Sequence, residues 1–398
     1  MPFLRALATV AVAAAVMGGC APQVPPAVTP APPPDRLVLA PASFDDLPGW
    51  REDAVGQAVD ALRRSCARLT AQPADRPVGT DGIGGRVTDW QQPCAALAGV
   101  RPGDEAAGRQ VLETWFRPWV AANNDQPDGL FTGYYEPELR GSRILDGRHT
   151  VPLYRRPADL VEVDLGQFRE ALRGERIAGR VVDGRLRPYD DRTRIDQGAL
   201  AGRGLELAWV SDPVDAFFLQ IQGSGRIVMP DGSVVRVGYD GQNGHPYVAV
   251  GRELVQRGVF RPEEVSMQAI RAWMEANPAE AAGLMRTNPS YVFFREIQGE
   301  GPVGSQGVAL SPGRSLAVDP RFVPLGAPVW LDVEDPMDPA TRIRRLTVAQ
   351  DTGGAIRGPV RGDLFWGHGP DAEARAGRMR SQGRYWLLLP VSVTPPTA

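Results

Sequence analysis
The apolar positions change period along the chain, and the change divides it. From Arg51 to Leu69, the residues Val55, Ala58, Val59, Leu62, Cys66 and Leu69 recur at helical spacing, predicting an amphipathic helix. A second helix is predicted from Asp104 to about Phe116, with Val111, Leu112 and Trp115 on its buried side; Pro118 should end or kink it before Trp119. After Gly129 the texture becomes short β-like runs broken by glycine and proline. Within them, residues 216–227 alternate apolar and polar, which predicts a strand with Gln220 and Gln222 on one face and Phe217, Leu219 and Ile221 on the other. Helices are expected near Gln167–Arg173, over Met267–Ala276 with Ser266 as cap, and over Asp371–Arg380. The last hundred residues read as strands at 315–318, 328–333, 345–349 and 385–393, closely punctuated by turns. The pattern gives an α+β chain with a β-rich end.

The first twenty residues are a targeting segment rather than fold. Arg5 precedes a short apolar run, Ala6 to Met17, too short to span a bilayer, and Met17-Gly18-Gly19-Cys20 places small residues directly before a cysteine, as in a bacterial lipobox. Lipidation is therefore expected at Cys20 after removal of residues 1–19. Residues 21–35, APQVPPAVTPAPPPD, predict an extended polyproline spacer of roughly 3.1 Å per residue. Two cysteines remain, Cys66 and Cys94. Export favours a disulfide between them, and two buried thiols are the alternative.

Composition narrows the chemistry. At 398 residues, 43% hydrophobic and 23% charged, the chain is globular, with a length suited to two domains or one large one. Net charge is −3, and all 44 basic residues are arginine, spread evenly, which argues against nucleic acid as the main partner. Without lysine there is no Schiff-base chemistry and no phosphate-loop lysine. His149, His245 and His368 lie far apart, so a histidine metal site is not expected.

The densest constellation is AQDTGGAIRGPVRGDLFWGHGP, residues 349–370, where Asp351 precedes a glycine turn and Asp363 follows twelve residues later; Asp319 ends another strand-like run upstream. Strand-end aspartates are also common for structural reasons. The Asp351-Thr352-Gly353 step matches half an aspartic protease site, but no second such step supplies the facing carboxylate. Gly223-Ser224-Gly225 is no nucleophile elbow, because Gln222 stands where glycine is required. FTGYYEPELRGSR (131–143) combines adjacent tyrosines with Glu136, Arg140 and Arg143. Neutral amides, hydroxyls and aromatic faces of this kind suit a neutral sugar polymer.

In order, the segments FTGYYEP, QIQGSG, GYDGQNGHPY, NPSYVFF and AQDTGGAIRG…DLFWG resemble the membrane-bound lytic murein transglycosylase A family, and the end of the chain resembles its 3D domain, named for three aspartates matching Asp319, Asp351 and Asp363. The resemblance implies a mainly β fold with flanking helices, a double-psi β-barrel with an inserted smaller β-domain and a glycan groove between them. It places the barrel in 36–135 and 245–398 (3D region about 305–390) and the insert in 136–244. It implies cleavage of the MurNAc-β-1,4-GlcNAc bond of peptidoglycan without water, leaving 1,6-anhydromuramoyl ends. Asp363 becomes the catalytic acid, Asp351 a supporting residue and Asp319 structural. Thr132, Tyr134, Tyr135, Glu136, Gln222, Ser224 and Arg357 become substrate-binding candidates, Arg357 standing where the family often has lysine. One carboxylate suffices because the sugar's own C6 hydroxyl is the nucleophile; no metal or organic cofactor is needed. The implied protein is a monomeric outer-membrane lipoprotein on the periplasmic face, with other wall-synthesis proteins as possible partners. Two rival readings are a non-catalytic glycan-binding barrel and a hydrolytic muramidase using Glu136 as second carboxylate.

Overall fold
A computed structural model describes residues 34–299 and 301–395. The expected signal peptide 1–19, the lipidation site Cys20 and nearly all of the proline-rich spacer lie outside the described residues. Strand β1 (Leu37–Pro41) opens the chain, followed by helices α1 (Gly56–Thr70), α2 (Val87–Ala98) and α3 (Glu105–Trp115) and strands β2 (Phe116–Asn123) and β3 (Gly129–Glu136). Two predictions hold here. Helix α1 buries Ala58, Val59, Leu62, Cys66 and Leu69, and Asp104 caps α3 by accepting from the Ala107 N–H. Helix α2 was not anticipated, because Pro93 sits inside it. Cys66 on α1 and Cys94 on α2 form a disulfide.

The middle of the chain carries β4 (Glu138–Ser142), β5 (Val151–Tyr154), β6 (Val161–Asp164), β7 (Arg176–Val182), β8 (Arg185–Pro188), α4 (Arg192–Asp196), β9 (Glu206–Val210), α5 (Pro213–Gln222), β10 (Ser224–Val228) and β11 (Val234–Gln242). Then come α6 (Val250–Gln256), α7 (Met267–Ala276), α8 (Pro278–Arg286) and β12 (Val292–Glu296). Two expectations fail here. The Gln167–Arg173 helix is instead two 3-10 turns, Leu165–Gln167 and Glu170–Leu172, in a largely exposed segment with no buried face to support a longer helix. The expected 216–227 strand is the end of α5 followed by β10. Asp212 accepts from the Val214 and Asp215 N–H groups, Pro213 opens the helix, and Gly223 ends it in the left-handed region at φ 77°. Phe217, Phe218 and Leu219 are consecutive and all buried, so the helix is apolar around most of its girth and its period is masked.

The C-terminal part supplies β13 (Ser315–Val318), β14 (Pro328–Glu334), β15 (Arg342–Asp351), β16 (Arg361–His368), α9 (Pro370–Arg378) and β17 (Arg380–Pro390); all but β16, which was not anticipated, lie close to the predicted strands and helix. Strands β17, β14, β15, β13, β16 and β3 pair in turn, and β17 also pairs with β3, so six strands close into a barrel with β2 and β1 added beyond β17. Two pairings of the ring, β13–β15 and β16–β3, are parallel. The main apolar core fills this barrel and continues under α1, α2 and α3. A second sheet has the order β12-β11-β10-β4-β9-β5, and β6-β7-β8 form a third. The inserted unit therefore draws on β12 at Val292–Glu296, well past the expected limit at 244, because β11 needs an antiparallel neighbour and β12 supplies it.

Candidate active site
Barrel closure brings together residues far apart in sequence. Ala317 on β13 is the register partner of both Asp351 on β15 and Asp363 on β16, and Asp363 is in turn the partner of Thr132 on β3. Asp351, Ala317, Asp363 and Thr132 thus form one row across four strands, with the two aspartates two strand spacings, roughly 10 Å, apart at Cα. On the far side of β3, Gly133 leaves room for α9 and Trp366: a Cβ there would lie 2.6 Å from the indole nitrogen and 2.9 Å from the Cα of Ala376.

Asp363 is held by one defined hydrogen bond. Thr132 Oγ1 donates to its Oδ1 at 2.7 Å, and Arg361 Nη2 donates to the same Thr132 oxygen at 2.9 Å. Its Oδ2 has no hydrogen-bond partner among the described residues. Burial raises the pKa of Asp363 to about 6, against the lowering effects of the Thr132 bond and the Arg361 charge, and the nearby Asp351 adds to the rise. A carboxyl so placed is partly protonated near neutrality, as a general acid requires.

Asp351 is bound on both oxygens. Oδ1 accepts from the Ser305 N–H (2.9 Å), Ser305 Oγ (3.0 Å) and the Thr352 N–H (2.9 Å), while Oδ2 accepts from the Tyr134 hydroxyl (2.9 Å). Burial raises its pKa, and these donors oppose the rise. Tyr134 also packs on Phe365 with ring centroids 5.2 Å apart, fixing the wall between the two carboxylates. Asp319 is fully buried beside this row. Burial pushes its pKa up, but Arg321 and the N–H groups of Gly358 and Arg321 outweigh that and hold it below the usual value. It ties down the turn that leads into β16, since the Gly358 N–H donates to its Oδ2 at 2.9 Å.

The remaining predicted residues are placed differently. Tyr135 points to the opposite face of β3, where its hydroxyl donates to Glu373 Oε1 on α9 at 3.1 Å. Glu136 is 1% exposed and paired with Arg236 at 3.3 Å; burial raises its pKa. Gln222 closes α5 against the barrel, its Oε1 accepting from the Tyr135 N–H at 3.0 Å. Ser224 is buried at the start of β10. Arg357 is exposed on the turn after Gly354, whose carbonyl accepts from its Nε at 3.3 Å. The reading from sequence did not single out Arg361 or Ser305. Arg361 had a usable signal, because it stands two residues before Asp363 on one strand and so shares its face. Ser305 lies in a loop with no periodic pattern to locate it.

Residues 130–295 match the MltA specific insert domain, and residues 314–389 match the 3D domain. A membrane-bound lytic murein transglycosylase A of Vibrio cholerae serotype O1 is 36% identical over 275 residues, 68% of this chain and 67% of that protein. The crystal structure of a membrane-bound lytic murein transglycosylase from Agrobacterium tumefaciens is 35% identical, superposes with a TM-score of 0.78, and is covered over 98% of its length and 89% of this chain. The crystal structure of E. coli MltA with bound chitohexaose is 29% identical with a TM-score of 0.62, covering 91% of this chain and 93% of that one.

Proposed function
Because the chain belongs to the membrane-bound lytic murein transglycosylase A family, we propose that Asp363 is the single acid and base of its reaction. The protein is a lytic murein transglycosylase, a lyase of peptidoglycan. In the proposed step, the Asp363 carboxyl donates its proton to the oxygen of the MurNAc-β-1,4-GlcNAc bond as the bond from that oxygen to C1 breaks. The sugar's C6 hydroxyl closes on C1, and the Asp363 carboxylate takes the hydroxyl proton. The enzyme ends protonated as it began, and the product is a 1,6-anhydromuramoyl end. An attached hydroxyl near C1 has a high effective concentration, so no activated water is required.

The observation that carries this reading is the asymmetry of Asp363: Oδ1 is occupied by Thr132 while Oδ2 has no partner among the described residues, on a carboxyl raised to about 6 by burial. Hydrolysis needs a second carboxylate across the bond. Glu136 is unsuited to that task, being buried against Arg236 and four residues further along β3, about 13 Å away at strand rise. Asp351 has both oxygens engaged. Support for a saccharide substrate comes from the related E. coli protein, whose structure holds chitohexaose.

The chain is membrane-associated and works in the cell envelope on peptidoglycan. To this the proposal adds a lipid on Cys20, the periplasmic face of the outer membrane, a monomeric state and contact with other wall-synthesis proteins. Product chemistry tests the reaction. Peptidoglycan digested by the full chain in detergent, in water enriched in heavy oxygen, should yield anhydro ends free of label. Labelled reducing ends would replace this reading with hydrolysis, and the absence of fragments despite binding would replace it with a glycan-binding barrel.

A further inference from the structure
Beside the carboxylate row lies a cleft of about 1190 Å³, and Ser305, which donates twice to Asp351, is part of its wall. Four guanidiniums line it, those of Arg68 at the end of α1, Arg76, Arg86 and, from the inserted unit, Arg173, against the single carboxylate of Asp81. Arg173 pairs with Glu170 and also reaches Asp81 at 3.8 Å, and Arg86 Nη1 donates to the Asp75 carbonyl at 2.6 Å. Neither Arg68 nor Arg76 has a side-chain partner among the described residues, although the chain as a whole is net −3. The wall is donor-rich below the surface as well: Gln306, 8% exposed, accepts from Ser65 through Oε1 at 2.7 Å and leaves its Nε2 without a partner.

A neutral N-acetylated glycan offers such a cluster hydrogen-bond acceptors but no charge to pair with. Guanidiniums present a planar fork that matches a carboxylate. In peptidoglycan the carboxylates belong to the short peptide carried on the lactyl group of each muramic residue, and the muramic residue is the sugar that cyclises. We propose that this cleft binds the carboxylate groups of the peptide attached to the reacting muramic residue, with Arg68 and Arg76 as the principal contacts. The inference rests on the peptidoglycan reading above and adds the peptide to the substrate. It makes the enzyme selective for strands that still carry their peptides.

The test uses the full chain in detergent and the double variant Arg68→Gln/Arg76→Gln, both positions being exposed. Binding comes first, with the free stem tetrapeptide and the same peptide with its carboxylates converted to amides. The parent should bind the acid form and lose most of that affinity for the amide form, and the variant should bind the acid form about fivefold or more weakly, as two lost solvent-exposed charge pairs imply. Cleavage follows, on peptide-bearing strands and on strands amidated at those carboxylates. The ratio of kcat/KM between the two should fall about fivefold in the variant, through KM. Equal binding of both peptides, binding of neither, or equal losses on both strands would overturn the proposal. If the parent cleaves neither strand, the transglycosylase reading falls, and peptide binding alone then decides the role of the cleft.

Discussion

Thr132 Oγ1 donates a 2.7 Å hydrogen bond to Asp363 Oδ1 across two parallel strands whose residues stand 231 positions apart in the chain. The same Thr132 oxygen accepts from Arg361, so its own proton is directed at the carboxylate. The bond favours the charged form of Asp363, while burial favours the neutral one, and the balance leaves the group at about 6. The carboxyl is thereby fixed at one oxygen and partly protonated near neutrality.

Activity should follow that balance. The proposed first step consumes the protonated form, so kcat falls as pH rises through about 6. Thr132→Val removes a donor that lowers the pKa, and the descending limb should move up by roughly half a unit to one unit, the difference in worth between a hydrogen bond to the charged and to the neutral carboxyl. A pH–rate profile of variant and parent checks this. A lower rate with an unmoved limb would mean that Thr132 only packs.

Stability should respond in the same sense. Burial raises the pKa of Asp363 in the folded state above its unfolded value, so its contribution is fully present below about pH 4 and is lost as pH rises through about 6. Asp363→Asn keeps an oxygen for Thr132 and removes the buried charge. At about pH 7.5 the variant should be more stable than the parent by about 3 kcal/mol, and near pH 4 the gap should close to well under about 1 kcal/mol. Thermal melts at the two pH values read this directly.

Glu136→Gln should leave the reaction a transglycosylation. Products should still end in anhydro sugars, with turnover within about threefold of the parent. Loss of the buried counter-charge to Arg236 should cost about 2 kcal/mol in denaturant unfolding. Complete loss of cleavage in a folded variant would return Glu136 to the candidate carboxylates.

The Cys66–Cys94 bond links α1 to α2 across 28 residues. Cys66→Ser/Cys94→Ser should lower unfolding stability by about 2–4 kcal/mol, in line with the loop it closes. Denaturant titration measures the loss. An unchanged midpoint would show that packing of the two helices alone holds this corner.

Strands β13, β14, β15 and β17 of the barrel were legible as apolar runs closely punctuated by turns, and Ser266 and Asp104 announce two of the helices. Asp351 and Asp363 stood out through the glycine turn between them. What the sequence did not show was the row that joins Asp363 to Thr132, since parallel pairing of distant segments leaves no local trace. Helix α5 was misread because a run of Phe217, Phe218 and Leu219, buried on nearly every side, has lost its helical period; the Asp212-Pro213 start was the signal to weigh. Motif membership alone could not separate Thr132 and Tyr134, which bond to the carboxylates, from Tyr135, Glu136 and Gln222, which brace the surrounding elements. On a strand, adjacent motif residues face opposite ways.

The most direct test of the account is the release of anhydromuramoyl fragments from purified peptidoglycan by the full chain in detergent, with Asp363→Asn measured beside it. The account predicts anhydro ends from the parent and a rate at least about a thousandfold lower from a variant that melts no lower than the parent, as loss of a group acting as both acid and base implies. A folded Asp363→Asn that still releases anhydro ends within tenfold of the parent rate would contradict it.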